Sequence, residues 1–146
     1  GGRIARLKNS IDEDFLLTYG DGVSDVNIQE LISAHRRSGN VATLTAVQPP
    51  ARFGALNLDK NQVVNFQEKP LGEGSWVNGG YLVLSPDIFS YLDGDGSSLE
   101  LDALPKIAEE GKLGVYKHSG FWQPVDTIRD LQRLEEAIAK GALPWI

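Results

Sequence analysis

The chain contains no cysteine and no methionine among its 146 residues. Without cysteine there is no disulfide, no thiolate metal site and no thiol nucleophile, and the composition suits a reducing compartment. No apolar run approaches the roughly 18 residues that a membrane span requires, and no basic-then-apolar leader precedes a small-residue cleavage site. A soluble, unsecreted, cytoplasmic protein without a membrane partner is therefore expected. The missing methionine extends to the first residue, since the chain opens Gly1-Gly2-Arg3, and it is expected to start inside a longer protein. Positive charge is also scarce. Against a formal net charge of -6 the local basic clusters are Arg3, Arg6 and Lys8, and Arg36-Arg37, so nucleic acid is excluded as an expected partner. One or two lysines in a cleft can still hold a small phosphorylated ligand.

What is present is ordinary for a folded unit: 41% hydrophobic and 23% charged residues. A domain of about 150 residues buries roughly 70% of the surface its unfolded chain exposes, and no repeat or linker divides residues 1–146, so a single α/β domain is expected. Phe15 to Tyr19 is a short apolar run ending at Gly20-Asp21-Gly22, which reads as a fully buried strand entering a turn. Asn27 and Glu30 resemble a capping box ahead of Ile28, Leu31, Ile32 and His35 at helical spacing, with Gly39 as the stop. Val41 to Val47 then completes a strand–helix–strand unit of the kind that builds parallel sheets. Segments 54–58 and 63–67 flank Asp59-Lys60-Asn61 and predict an antiparallel hairpin or a pair of edge strands. A strand over 76–84 is interrupted by Gly79-Gly80, Ser85-Pro86 opens a short helix, and Pro105 fits the first turn of another that ends at Gly111. Val115 and Tyr116 mark a last strand. In the final helix Thr127 is the cap, with Ile128, Leu131, Leu134 and Ile138 as the buried stripe.

Several residue groups fit either chemistry or plain structure. Asp21, in a Gly-Asp-Gly turn directly after a strand, stands where the ligand crevice of an open parallel sheet lies and where a metal-binding carboxylate belongs; Asp-Gly is equally common in simple turns. Asp126 either faces a cleft or caps the final helix. Together the two would supply what a magnesium site needs, one or two carboxylates with phosphate oxygens and waters completing the octahedron. Glu68-Lys69-Pro70 offers a point charge for phosphate and an acceptor for sugar hydroxyls, or is a solvated turn. Asn78-Gly79-Gly80 suits hydroxyl recognition or a β-bulge. Arg52 either pairs with a phosphate or lies on the surface. His35 falls on an apolar stripe and reads as packed, and His118 has no partner that the sequence identifies.

The strings Thr-Tyr-Gly-Asp-Gly-Val-Ser-Asp (18–25), Arg-Phe-Gly-Ala-Leu (52–56), Phe-Gln-Glu-Lys-Pro (66–70), Val-Asn-Gly-Gly (77–80) and Gly-Phe-Trp-Gln-Pro-Val-Asp-Thr (120–127) resemble, in this order, those of glucose-1-phosphate cytidylyltransferases, members of the sugar-1-phosphate nucleotidyltransferases. Gly1-Gly2-Arg3 and 141–145 extend the resemblance over essentially the whole chain. It implies a Rossmann-like, GT-A type α/β/α fold with a mixed, mostly parallel sheet and an antiparallel sugar-binding portion. It also implies that Asp21 and Asp126 bind Mg2+, that Lys69 grips the sugar phosphate, and that Glu68, Asn78 and Gly79 bind the glucosyl group, with Tyr19 and Arg52 also on the substrate. The implied substrates are a sugar 1-phosphate and a nucleoside triphosphate.

The family's glycine-rich opening, which cradles the triphosphate, has no counterpart in the sequence. The chain is therefore expected to be the C-terminal, sugar-phosphate-binding part, inactive alone, with apolar sheet edges covered by a homo-oligomer or by the missing segment. A noncatalytic sugar-phosphate-binding or assembly module is the second reading. A metal-dependent glycosyltransferase is the third, which the Glu-Lys-Pro and Asn-Gly-Gly strings do not favour.

Overall fold

The computed structural model describes residues 1–49, 55–60, 62–67, 76–142 and 145. A short helix α1 (Gly2–Ala5) precedes strands β1 (Phe15–Thr18) and β2 (Gly22–Ser24), helix α2 (Ile28–Ser38) and strand β3 (Ala42–Val47). The hairpin β4 (Ala55–Asp59) and β5 (Gln62–Gln67) leads to the long strand β6 (Val77–Leu84). A 3-10 turn (Pro86–Tyr91), a π-helical turn (Leu99–Ala103), helix α3 (Leu104–Glu109), strands β7 (Leu113–Lys117) and β8 (Trp122–Pro124) and helix α4 (Ile128–Ala139) follow.

The caps explain the helix limits. Asn27 Oδ1 accepts from Glu30 N at 3.1 Å, and Gly39 ends α2 in the left-handed region at φ 64°, which glycine enters without a Cβ penalty. Thr127 and Asp130 form a reciprocal capping box at α4, so the alternative in which Asp126 is the N-cap is set aside.

Among the described residues four strands form the main sheet in the order β1-β6-β3-β7. β6 is antiparallel to both neighbours, and β3 and β7 are parallel; three of the four strands thus point one way, and the sheet is mixed. The strand–helix–strand unit of β1, α2 and β3 does not make adjacent parallel strands, because β6 enters between them and takes hydrogen bonds from each. Alternation along β3 and β6 sorts side chains between the two faces. Ala42, Leu82 and Leu84 join Ile88, Leu99 and Ile107 in the buried core under the short helices. On the opposite face Thr43 accepts or donates at 2.9 Å to Nδ1 of the buried His35 on α2.

Two expectations about burial are also corrected. β1 is not fully buried: it is an edge strand, it alternates between half-buried and exposed positions, and Leu16 is 42% exposed. In α4 only Leu134 is buried, whereas Ile128 is 77%, Leu131 45% and Ile138 55% exposed. Helical spacing establishes which side chains share a face but not that another element covers it. The 55–59 and 62–67 hairpin is antiparallel as expected. Among the described residues no helix is long and apolar enough to cross a membrane.

Candidate functional site at the carboxyl end of the sheet

The carboxyl ends of β1, β3 and β7 lie at one end of the sheet, and β6, running the other way, begins there: Thr18 pairs with Tyr81, Ala46 with Asn78 and with Lys117. This is the end at which open α/β sheets place ligands. Beyond it, β2 and β8 form a separate two-stranded antiparallel ribbon in which Gly22 faces Pro124 and Ser24 faces Trp122.

The ribbon sets the two sequence-distant segments that carry Asp21 and Asp126 side by side. Val125 N donates to Asp21 O at 2.7 Å, so Asp21 lies one residue before β2 and beside the strand that delivers Asp126. Both are exposed. Carboxylate oxygens are the hard donors that magnesium prefers, and Mg2+ commonly uses only one or two of them together with waters and substrate phosphates. The donor set at 21 and 126 fits that chemistry. Among the described residues no group of three or more His, Asp or Glu side chains forms a larger metal cluster.

Beside the aspartates the start of β6 is distorted. Between the Leu44–Leu82 and Ala46–Asn78 pairs the register shifts, with two steps on β3 against four on β6, so Asn78-Gly79-Gly80 is a β-bulge. The bulge is built for close packing. A Cβ on Gly79 would lie 2.9 Å from Val47 Cγ1, and one on Gly80, at φ +79°, would lie 3.1 Å from Tyr19 Cβ and Cγ. Trp122 Nε1 donates to Gly79 O at 2.8 Å, and Tyr81 Oη donates to Gly22 O at 2.9 Å; these bonds tie the ribbon to the sheet. Asn78 Oδ1 accepts from Gly80 N at 3.0 Å, and Nδ2 donates to Tyr19 Oη at 3.2 Å. Tyr19 N donates to Gly80 O at 2.8 Å, and Tyr19 Oη donates to a carboxylate oxygen of Glu100. Burial and the Glu100 hydrogen bond push the Tyr19 phenol well above its usual range, and the same bond lowers the Glu100 carboxyl.

Tyr19, Asp21, Asn78, Gly79 and Asp126 thus converge on one end of the sheet. Arg52, Glu68 and Lys69 lie outside the described residues.

Sequence reasoning missed two groups here. Glu100 carries no local motif and reaches Tyr19 only through the fold. His118, read as lacking a partner, has Nε2 2.9 Å from Asp25 Oδ1, 3.2 Å from Phe121 O and 3.3 Å from Ser24 Oγ. All three contacts use the same ring nitrogen, so this is a clamp at the far end of the β2–β8 ribbon and not a nucleophile–base–acid series. Asp25, inside the Gly-Asp-Gly-Val-Ser-Asp string, was its available signal.

The nucleotidyl transferase family model matches residues 3–141. Two curated relatives, the glucose-1-phosphate cytidylyltransferases of Salmonella typhi and Salmonella typhimurium, are each 47% identical over 99% of this chain and 57% of their own length; the chain therefore spans little more than half of these relatives. Among solved structures, HddC from Yersinia pseudotuberculosis superposes with a TM-score of 0.67 at 23% identity, covering 94% of this chain and 61% of that one, a likeness that bears on the fold alone. With the family model spanning nearly every residue, the chain belongs to the nucleotidyl transferase family.

Proposed function

We propose that this chain forms the sugar-phosphate side of a cytidylyltransferase that transfers CMP from CTP to glucose 1-phosphate. The observation that carries the reading is the β2–β8 ribbon, which sets Asp21 beside the segment bearing Asp126. The 47% identity to proteins named for this activity supports the choice of substrates.

In the reaction a phosphate oxygen of glucose 1-phosphate attacks the α-phosphorus of CTP, the bond from that phosphorus to the bridging oxygen breaks, and pyrophosphate leaves. CDP-glucose is the product. Nucleophile and electrophile both come from substrates, so the protein has to position them and balance charge. Asp21 and Asp126 would hold magnesium, which would offset negative charge on the phosphates and help to align them. Lys69 would pair with the phosphate of the sugar phosphate as a point charge, Arg52 would add a second cation, and Glu68 would accept from hexose hydroxyls. Asn78, Gly79 and Tyr19 would bound the glucosyl group. Diffusible nucleotide and sugar-phosphate substrates suit a cytoplasmic setting.

The test is pyrophosphate release by the complete gene product with glucose 1-phosphate and each of the four nucleoside triphosphates, alongside Asp21→Asn and Asp126→Asn. CTP should be strongly preferred, and both variants should lose nearly all turnover while keeping the wild-type melting temperature. Full activity in either variant would remove that aspartate from the site, and a preference for another triphosphate would end the cytidylyl assignment. A noncatalytic sugar-phosphate-binding module is the second reading. Calorimetry with glucose 1-phosphate would then show binding with no turnover by the complete product.

A further inference from the structure

Glu100 has no part in the reading above, yet it ends a hydrogen-bonded chain that runs into the proposed sugar site. We infer that Glu100 is a positioning residue that, acting through the Tyr19 hydroxyl, fixes which way round the Asn78 carboxamide is presented to a hydroxyl-bearing ligand. The inference rests on the sugar-phosphate reading for the identity of that ligand, and on geometry alone for the relay.

The relay follows from which groups can only give or only accept. Gly80 N–H can only donate, and it donates to Asn78 Oδ1 at 3.0 Å. An ionised carboxylate can only accept, so the hydrogen between Tyr19 and Glu100 belongs to the tyrosine. With its one hydrogen committed, the Tyr19 oxygen can only accept from Asn78, and Asn78 Nδ2 donates to it at 3.2 Å. Rotating the carboxamide by half a turn would set an NH2 against Gly80 N–H and an oxygen against an oxygen whose hydrogen points elsewhere. Both ends of the chain therefore enforce one orientation. Asn78 keeps one N–H and one lone pair in fixed places, a donor and an acceptor side by side, which is the complement of a sugar hydroxyl.

Glu100 is itself held. It lies in the π-helical turn Leu99–Ala103, a type of distortion that recurs at functional sites. Ser98 Oγ caps that turn by accepting from Leu101 N at 3.1 Å, and Asp102 Oδ2 accepts from Ser98 N at 2.7 Å. Tyr19 is held by its backbone bond to Gly80 O and by the bulge glycine against its ring.

The experiment compares the complete gene product with its Tyr19→Phe, Glu100→Gln and double variants. It uses side-chain amide NMR of Asn78 without ligand, then calorimetric titration with glucose 1-phosphate and magnesium. Tyr19→Phe keeps the ring and removes the relay atom. Glu100→Gln keeps the size and removes the acceptor-only constraint. The Asn78 amide resonances should move in both single variants, each should weaken glucose 1-phosphate binding by about five- to twentyfold, and the double variant should lose no more than Tyr19→Phe alone. Unmoved Asn78 resonances, or losses that multiply in the double variant, would overturn the relay. Resonances that move in the variants while wild type takes up no glucose 1-phosphate would keep the relay and reject the sugar reading. Binding by wild type with unmoved resonances would do the reverse.

Discussion

Two glycines with the same backbone demand but different surroundings give a measurement of how tightly the site is built. Gly39 and Gly80 both sit at positive φ, 64° and 79°. A Cβ at Gly39 would meet nothing within 4 Å, whereas at Gly80 it would meet Tyr19 Cβ and Cγ at 3.1 Å and Cδ2 at 3.2 Å. Gly39→Ala should therefore cost only the left-handed backbone, about 1–2 kcal/mol. Gly80→Ala carries the same strain plus overpacking of about 1–3 kcal/mol, because Tyr19 cannot withdraw without breaking its bonds to Gly80 O and Glu100 and the bond it accepts from Asn78. Urea unfolding of the two variants at unchanged m-value should separate them by at least about 1 kcal/mol, with Gly80→Ala the less stable. Equal losses would mean that Tyr19 yields freely and that the bulge is not rigid.

Two further outcomes follow from the histidines. Burial lowers the His35 pKa below its ordinary value, while the nearby Asp14 carboxylate pulls the other way. The folded chain then binds fewer protons than the unfolded one, so this contribution is complete above the unfolded pKa of about 6.5 and is lost as pH falls toward the folded value, with a slope approaching about 1.4 kcal/mol per pH unit. His35→Gln should flatten that loss in urea titrations between roughly pH 5 and 7, and an unchanged slope would place the effect elsewhere. His118→Ala removes the clamp on Asp25 and Phe121 O. It should cost about 1–2 kcal/mol, limited because Asp25 is partly exposed and can be hydrated. Exchange of the Asp25 amide, which donates to Phe121 O at 3.2 Å, should accelerate more than exchange in β3, and uniform acceleration would contradict a local role.

The sequence was most legible where a side chain acts on its own neighbours. Asn27, Gly39 and Thr127 close their helices through contacts within a few residues, and the 55–67 hairpin needs only a turn between two short strands. It was least legible where partners are distant. β6 separates β1 from β3 although it follows both in the chain, and no spacing within 15–47 announces an intruding strand. The stripe on α4 illustrates the same limit, since periodicity aligned Ile128, Leu131 and Ile138 without supplying anything to cover them.

The candidate site shows why motif and geometry carry separate information. Asp21 and Asp126 each stood in a turn-like string that ordinary loop chemistry could explain, and what joins them is a ribbon whose strands have only three residues apiece. Strands that short show no usable alternation, so their pairing cannot be read from the chain. A two-stranded ribbon of this length is also marginal by itself. It holds here because Trp122 and Tyr81 bond across to the sheet and because His118 and Asp25 close its far end. The placement of both aspartates therefore depends on residues that need not touch a ligand, and substitutions at Trp122 or His118 should disturb the aspartate pair before they disturb the main sheet.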